Sequence, residues 1–175
     1  MVVPHIRRDV MTMAGYPSHG GDVDWGTRDP APPADERRIP ALRAQVLDEK
    51  ERMFRRMQAL FALRAIKTPE AIDVIGEAMR APESALLRHE AAYILGQVAS
   101  PRAIPALEAC VLQDPHAMVR HEACEALGNI DDDRVVPILQ RALKEDAAIE
   151  VRESCEVALD NLGWLRDDTR FEPDE

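Results

Sequence analysis

The stretch Leu87-Arg88-His89-Glu90-Ala91 returns 32 positions later as Val119-Arg120-His121-Glu122-Ala123. Leu95-Gly96 returns at the same spacing as Leu127-Gly128. Self-similarity at a fixed period of this length marks a chain built by stacking one supersecondary unit. A further step of 32 in either direction keeps the arginine, at Arg56 and Arg152, and replaces the pair by Met57-Gln58 and Glu153-Ser154. The arginine therefore belongs to the repeat itself. The imidazole beside a carboxylate is confined to the two central copies, a selective placement that a scaffold does not need and a metal site would.

Outward from these copies the pattern is helical. Ala, Leu, Glu and Arg dominate after residue 36, a helix-forming composition. Apolar spacing predicts helices over 39–50 with 52–65, 69–80 with 84–98, 101–112 with 117–130, and 134–144 with 149–162. Pro69, Pro101 and Pro137 fall in or just before the first turn of the first helix of a pair, where proline is tolerated. Ser84 suits an N-cap, Gly96 and Gly128 lie near helix ends, and Asp131-Asp132-Asp133 separates one hairpin from the next. Within Arg102-Ala103-Ile104-Pro105-Ala106-Leu107, positions 103, 104 and 107 make one core-facing stripe. The expected fold is all-α: an α-solenoid of about four HEAT-like helical hairpins over residues 37–165.

Residues 1–36 carry Gly15, Gly20, Gly21 and Gly26 and the cluster Pro30, Pro32 and Pro33, and read as a flexible leader. His5 and His19 lie there without ordered partners and are not assigned as ligands. Residues 166–175 read as an acidic tail. A net charge of −10 and a pI near 5.0 argue against nucleic acid as a partner. The three cysteines, Cys110, Cys124 and Cys155, are odd in number and lack CxxC spacing, which predicts free thiols in a reducing compartment. Cys124 and Cys155 fall on apolar helical stretches as small core residues. No apolar run reaches the roughly 18 residues of a membrane span, and the N-terminus lacks the hydrophobic core of a secretory signal. The expected location is the cytoplasm.

On a helix His89 and Glu90 flank one ridge, and an equivalent helix in the next repeat packs roughly 8–10 Å away. His89 and His121 are thereby expected to converge on one metal ion, with Glu90 and Glu122 beside them, free to reach another metal or another subunit. Two imidazoles and a carboxylate suit non-haem iron, and paired irons held by carboxylates and histidines occur between helices. The zinc-protease pattern fails, because it needs a second histidine at i+4 where this chain has Tyr93 and Glu125. On spacing alone, an Arg-His-Glu triplet reads equally as a salt-bridge set on a solvated face.

Ser84-Ala85-Leu86-Leu87-Arg88-His89-Glu90-Ala91-Ala92-Tyr93-Ile94-Leu95-Gly96-Gln97 and Met118-Val119-Arg120-His121-Glu122-Ala123-Cys124-Glu125-Ala126-Leu127-Gly128 resemble the deoxyhypusine hydroxylase family, HEAT-repeat di-iron monooxygenases. Met57 to Arg64 and Val151 to Asp160 extend the likeness, which covers about residues 29–162. The resemblance implies two halves of four hairpins each, with two irons between them. Each iron takes the two histidines of one half and a glutamate of the other. This chain resembles one half, most like the C-terminal one. By resemblance, His89, Glu90, His121 and Glu122 are iron ligands or their close supports, and Gly96 and Met118 lie beside the substrate side chain. The implied reaction hydroxylates an unactivated carbon of deoxyhypusine on a translation factor, using iron and oxygen. A homodimer or a separate second half is the implied partner. A HEAT-like protein-binding adaptor and an inactive truncated half-enzyme are the alternatives.

Overall fold

The computed structural model describes residues 34–166. The leader expectation for residues 1–33, with His5 and His19, and the tail at 167–175 lie outside the described residues. A 3₁₀ turn at Glu36–Arg38 leads into α1 (Ile39–Leu47). Then follow α2 (Met53–Ile66), α3 (Pro69–Ala78), α4 (Ala85–Val98), α5 (Ile104–Gln113), α6 (Ala117–Gly128), α7 (Val135–Glu145) and α8 (Ile149–Leu165). Consecutive helices pair as four hairpins, and the fold is the expected α-solenoid, with no strand among the described residues.

Local chemistry explains the boundaries. Thr68 and Ser84 accept from the backbone N–H groups of Ala71 and Leu87 and so cap α3 and α4. The expected helix at 101–112 is split into a 3₁₀ turn, Pro101–Ala103, followed by α5. Pro105 has no N–H to give the carbonyl of Pro101, so that turn tightens instead. The first helix ends at Leu47, because Asp48 turns extended and its carboxylate accepts from Lys50 N–H at 2.9 Å. Lys67 and Ala99 close α2 and α4 in the left-handed region, at φ 58° and 50°.

The first helices of the hairpins form one layer and the second helices the other. Neighbouring second helices approach closely because small residues meet. A Cβ placed on Gly96 would lie 2.9 Å from Ala126 Cα, and one on Gly128 would lie 2.6 Å from Ala158 Cβ. Leu60, Leu63, Ile75, Leu87, Ile94, Leu95, Leu107, Leu127 and Leu139 fill the space between the layers. Cys110, Cys124 and Cys155 are buried free thiols, as expected, and burial pushes the Cys110 thiol up to about 12. No described helix is long and apolar enough to cross a membrane.

The repeat arginine stitches the stack. Arg88 donates to the Ala81 carbonyl in its own hairpin loop (2.9 Å) and to Asp114 in the next (2.6 and 3.0 Å). Arg120 does the same with the Asp114 carbonyl (2.9 Å) and Asp146 (2.8 Å, twice). Arg56 donates to the Val46 carbonyl and pairs with Glu83. Arg152, in the last hairpin, bonds the carbonyls of Asp146 and Ala147. This ladder fixes the register of each second helix against its neighbours, and with it the relative height of the residues on their other face.

Candidate metal centre

His89 and Glu90 follow the stitched Arg88 on α4, and His121 and Glu122 follow Arg120 on α6. With the arginines drawn to the hairpin loops, the following pairs lie on the outer face of the second-helix layer. His89 and His121 keep 29% and 23% of their side-chain surface accessible, whereas Glu122 keeps 11%. His89 Nε2 reaches across to Glu122 Oε2 at 3.3 Å, and its Nδ1 lies 3.7 Å from Glu90 Oε1. That Nδ1 is buried and has no hydrogen-bond partner.

Donor groups concentrate on α6. One atom each from His121, Glu122 and Glu125 lie within 4.8 Å of one another. His121 Nε2 is 3.6 Å from Glu125 Oε1, while Nδ1 contacts Ser154 Oγ on α8. Burial pushes the Glu122 carboxyl above the ordinary range, Glu125 and Glu90 add to the rise, and His121 opposes it. Carboxylates crowded beside imidazole nitrogens are relieved by a cation, and a nitrogen–oxygen donor set of this kind suits a transition metal such as iron. The orphaned His89 Nδ1 fits the same reading.

The structure thus joins His121 to Glu122 within one donor cluster and sets His89 against Glu122, with Glu90 alongside. His89 itself stands outside the cluster of His121, Glu122 and Glu125. Glu125 joins His121 and Glu122 through local helix geometry: it is i+4 from His121 on α6 and so shares its face. The residue whose identity excludes a zinc-protease motif supplies the third donor. Met118 is exposed one turn before His121, and Gly96 is buried where α4 meets α6.

Comparison with known proteins follows the same outline. A model of HEAT repeats matches residues 77–160, and one of the PBS lyase HEAT-like repeat matches residues 55–81. Deoxyhypusine hydroxylase of Danio rerio is 48% identical over 61 residues, covering 35% of this chain and 20% of that protein. The Homo sapiens protein of the same name is 44% identical over 74 residues, 41% of this chain and 24% of that one. The solved structure of human deoxyhypusine hydroxylase in complex with glycerol superposes with a TM-score of 0.72 at 41% identity, over 83% of this chain and 50% of that chain.

The chain resembles one half of a deoxyhypusine hydroxylase. Its aligned stretches span about a fifth to a quarter of the curated hydroxylases, and about half of the solved human chain. The likeness is therefore one of sequence and of shape together.

Proposed function

We propose that this chain is an iron-binding half of a deoxyhypusine monooxygenase, completed by a second copy of itself or by a separate hydroxylase half. The observation that carries the reading is the donor face of α4 and α6 in a chain that superposes on half of a hydroxylase. In this reading His89, Glu90, His121 and Glu122 hold the metal, and Glu125 stands within reach of it. Iron bound there, two ions in a complete site, supplies the activation of oxygen needed to hydroxylate an unreactive carbon.

The protein's part is to hold, cover and orient. Leu86 and Tyr93 flank the pair on α4, and Met118 flanks that on α6, each at least 42% exposed. Ile149 and Val157 continue this apolar border on α8. A second half seated on the border buries apolar surface and excludes water from the ligands. The substrate side chain, a cationic amine on a translation factor, is drawn by the net charge of −10. Met118 and Gly96 stand in this reading beside that side chain.

Iron content and oligomeric mass, measured together on the purified chain, separate the readings. About one iron per chain in a dimer supports the enzyme, and replacing His89 and His121 together by Ala then removes the iron while helicity stays. A monomer that takes up no iron overturns it.

A further inference from the structure

Glu122 and Ser154 occupy the same register position in successive second helices, 32 residues apart. Each meets the histidine of the preceding repeat: His89 faces Glu122 and His121 faces Ser154. The contacts use opposite nitrogens. His89 turns Nε2 toward its carboxylate, whereas His121 turns Nδ1 toward its hydroxyl and leaves Nε2 on the side of Glu125.

Ser154 is only 5% exposed, and its hydroxyl donates to the Glu150 carbonyl, one helical turn earlier, at 2.8 Å. A carbonyl can only accept, so the single hydroxyl proton is committed to that bond. The oxygen's remaining capacity toward His121 is that of an acceptor. For both contacts to be hydrogen bonds, the imidazole must carry its proton on Nδ1, and Nε2 then presents its lone pair on the side of Glu125.

We infer that Ser154 is a positioning residue, which fixes His121 as the Nδ1–H tautomer so that Nε2 is the metal-binding nitrogen. This deepens the reading of the site as an iron centre and rests on it. Metal-bound histidines commonly give their other N–H to an oxygen acceptor, which sets ring orientation and basicity, and losing that acceptor weakens metal binding by about 10- to 100-fold. In this chain the acceptor comes from the last hairpin, which has no His-Glu pair of its own. The terminal repeat therefore takes part in the site through Ser154.

The test uses the full chain with imidazole neutral. Long-range proton–nitrogen NMR of the metal-free protein reads the His121 tautomer, and titration with ferrous iron or cobalt(II) alone reads affinity. Expected are an Nδ1–H tautomer in the wild type and its loss in Ser154→Ala, with metal binding at least about 10-fold weaker and helicity kept. Ser154→Thr, which keeps the hydroxyl, is expected to restore both readouts. An Nε2–H tautomer in the wild type overturns the inference, as does unchanged metal affinity in Ser154→Ala. A wild-type chain with the Nδ1–H tautomer that binds neither metal overturns the iron reading instead, so the two failures are told apart.

Discussion

Arg88 and His89 are neighbours in the chain and opposites in circumstance, as are Arg120 and His121. The arginines point to the hairpin loops, where carbonyls and carboxylates at 2.6 to 3.0 Å account for them. The imidazoles and glutamates point to the other face. There the closest His–Glu approaches are 3.3 to 3.7 Å, and one buried nitrogen has no partner. One face spends its polar groups on holding the stack together; the other leaves lone pairs and negative charge uncommitted. A scaffold with satisfied polar groups and a site with unsatisfied ones thus share the same helical turns.

The contrast is open to direct attack. The largest loss is expected on the stitching face. Replacing Arg120 by Ala removes two hydrogen bonds from the Asp146 carboxylate, 9% exposed, and leaves it the Ala148 N–H. Urea unfolding should show a loss of about 2–3 kcal/mol, the usual result of removing charge-assisted hydrogen bonds from a part-buried carboxylate. A loss below about 1 kcal/mol would mean that the ladder is only a surface ornament.

Next comes the close approach of the second helices. Gly128→Ala puts a methyl 2.6 Å from Ala158 Cβ and 2.9 Å from its Cα, so backbone must shift. The expected cost is about 1–3 kcal/mol. Gly163→Ala on α8, where nothing lies within 4 Å, is the control, and should raise the melting temperature through helix propensity alone. Equal effects at the two glycines would deny the packing role.

A smaller effect is expected from acid. The hydrogen bond from Arg120 holds the Asp146 carboxyl below the ordinary carboxylate range, against the opposing pull of burial. The stabilisation is therefore complete above the unfolded value of about 3.9 and fades as pH falls through the folded one. Wild-type stability should fall over that acid window more steeply than that of Asp146→Asn, which has no such carboxylate to protonate. Parallel curves would remove Asp146 from the account.

The smallest change in stability is expected on the donor face. Glu122→Gln removes a negative charge that burial and the neighbouring Glu125 and Glu90 already disfavour. Stability should stay level or rise by less than about 1 kcal/mol, while ferrous iron binding falls sharply in the same preparation. A variant that unfolds easily would place Glu122 with the scaffold instead.

Much of this architecture was legible in the residues. The 32-residue period, the proline and serine punctuation and the apolar stripes located all eight helices, because those signals act within one or two turns. The split at Pro105 and the early end at Asp48 were less legible, since each depends on a local competition between helix and turn. In the site, the repeated His-Glu pairs are legible in the residues, whereas Glu125 carries no repeat signal: its counterpart 32 residues earlier is Tyr93. Ser154 shows in the sequence only as a departure from the His-Glu pair, because its partner His121 lies on another helix.

The order of residues alone sets the repeat, the helices and the two residues in each central copy that differ from the outer ones. Periodicity is local, and a helix carries it in 3.6-residue turns whatever its surroundings. That His89 meets Glu122 and that His121 turns Nδ1 to Ser154 was settled only by how the second helices pack. Those pairings join residues 33 apart on different helices. Their relative height is set by the arginine ladder and by the glycine–alanine contacts between helices, quantities that no single helix contains.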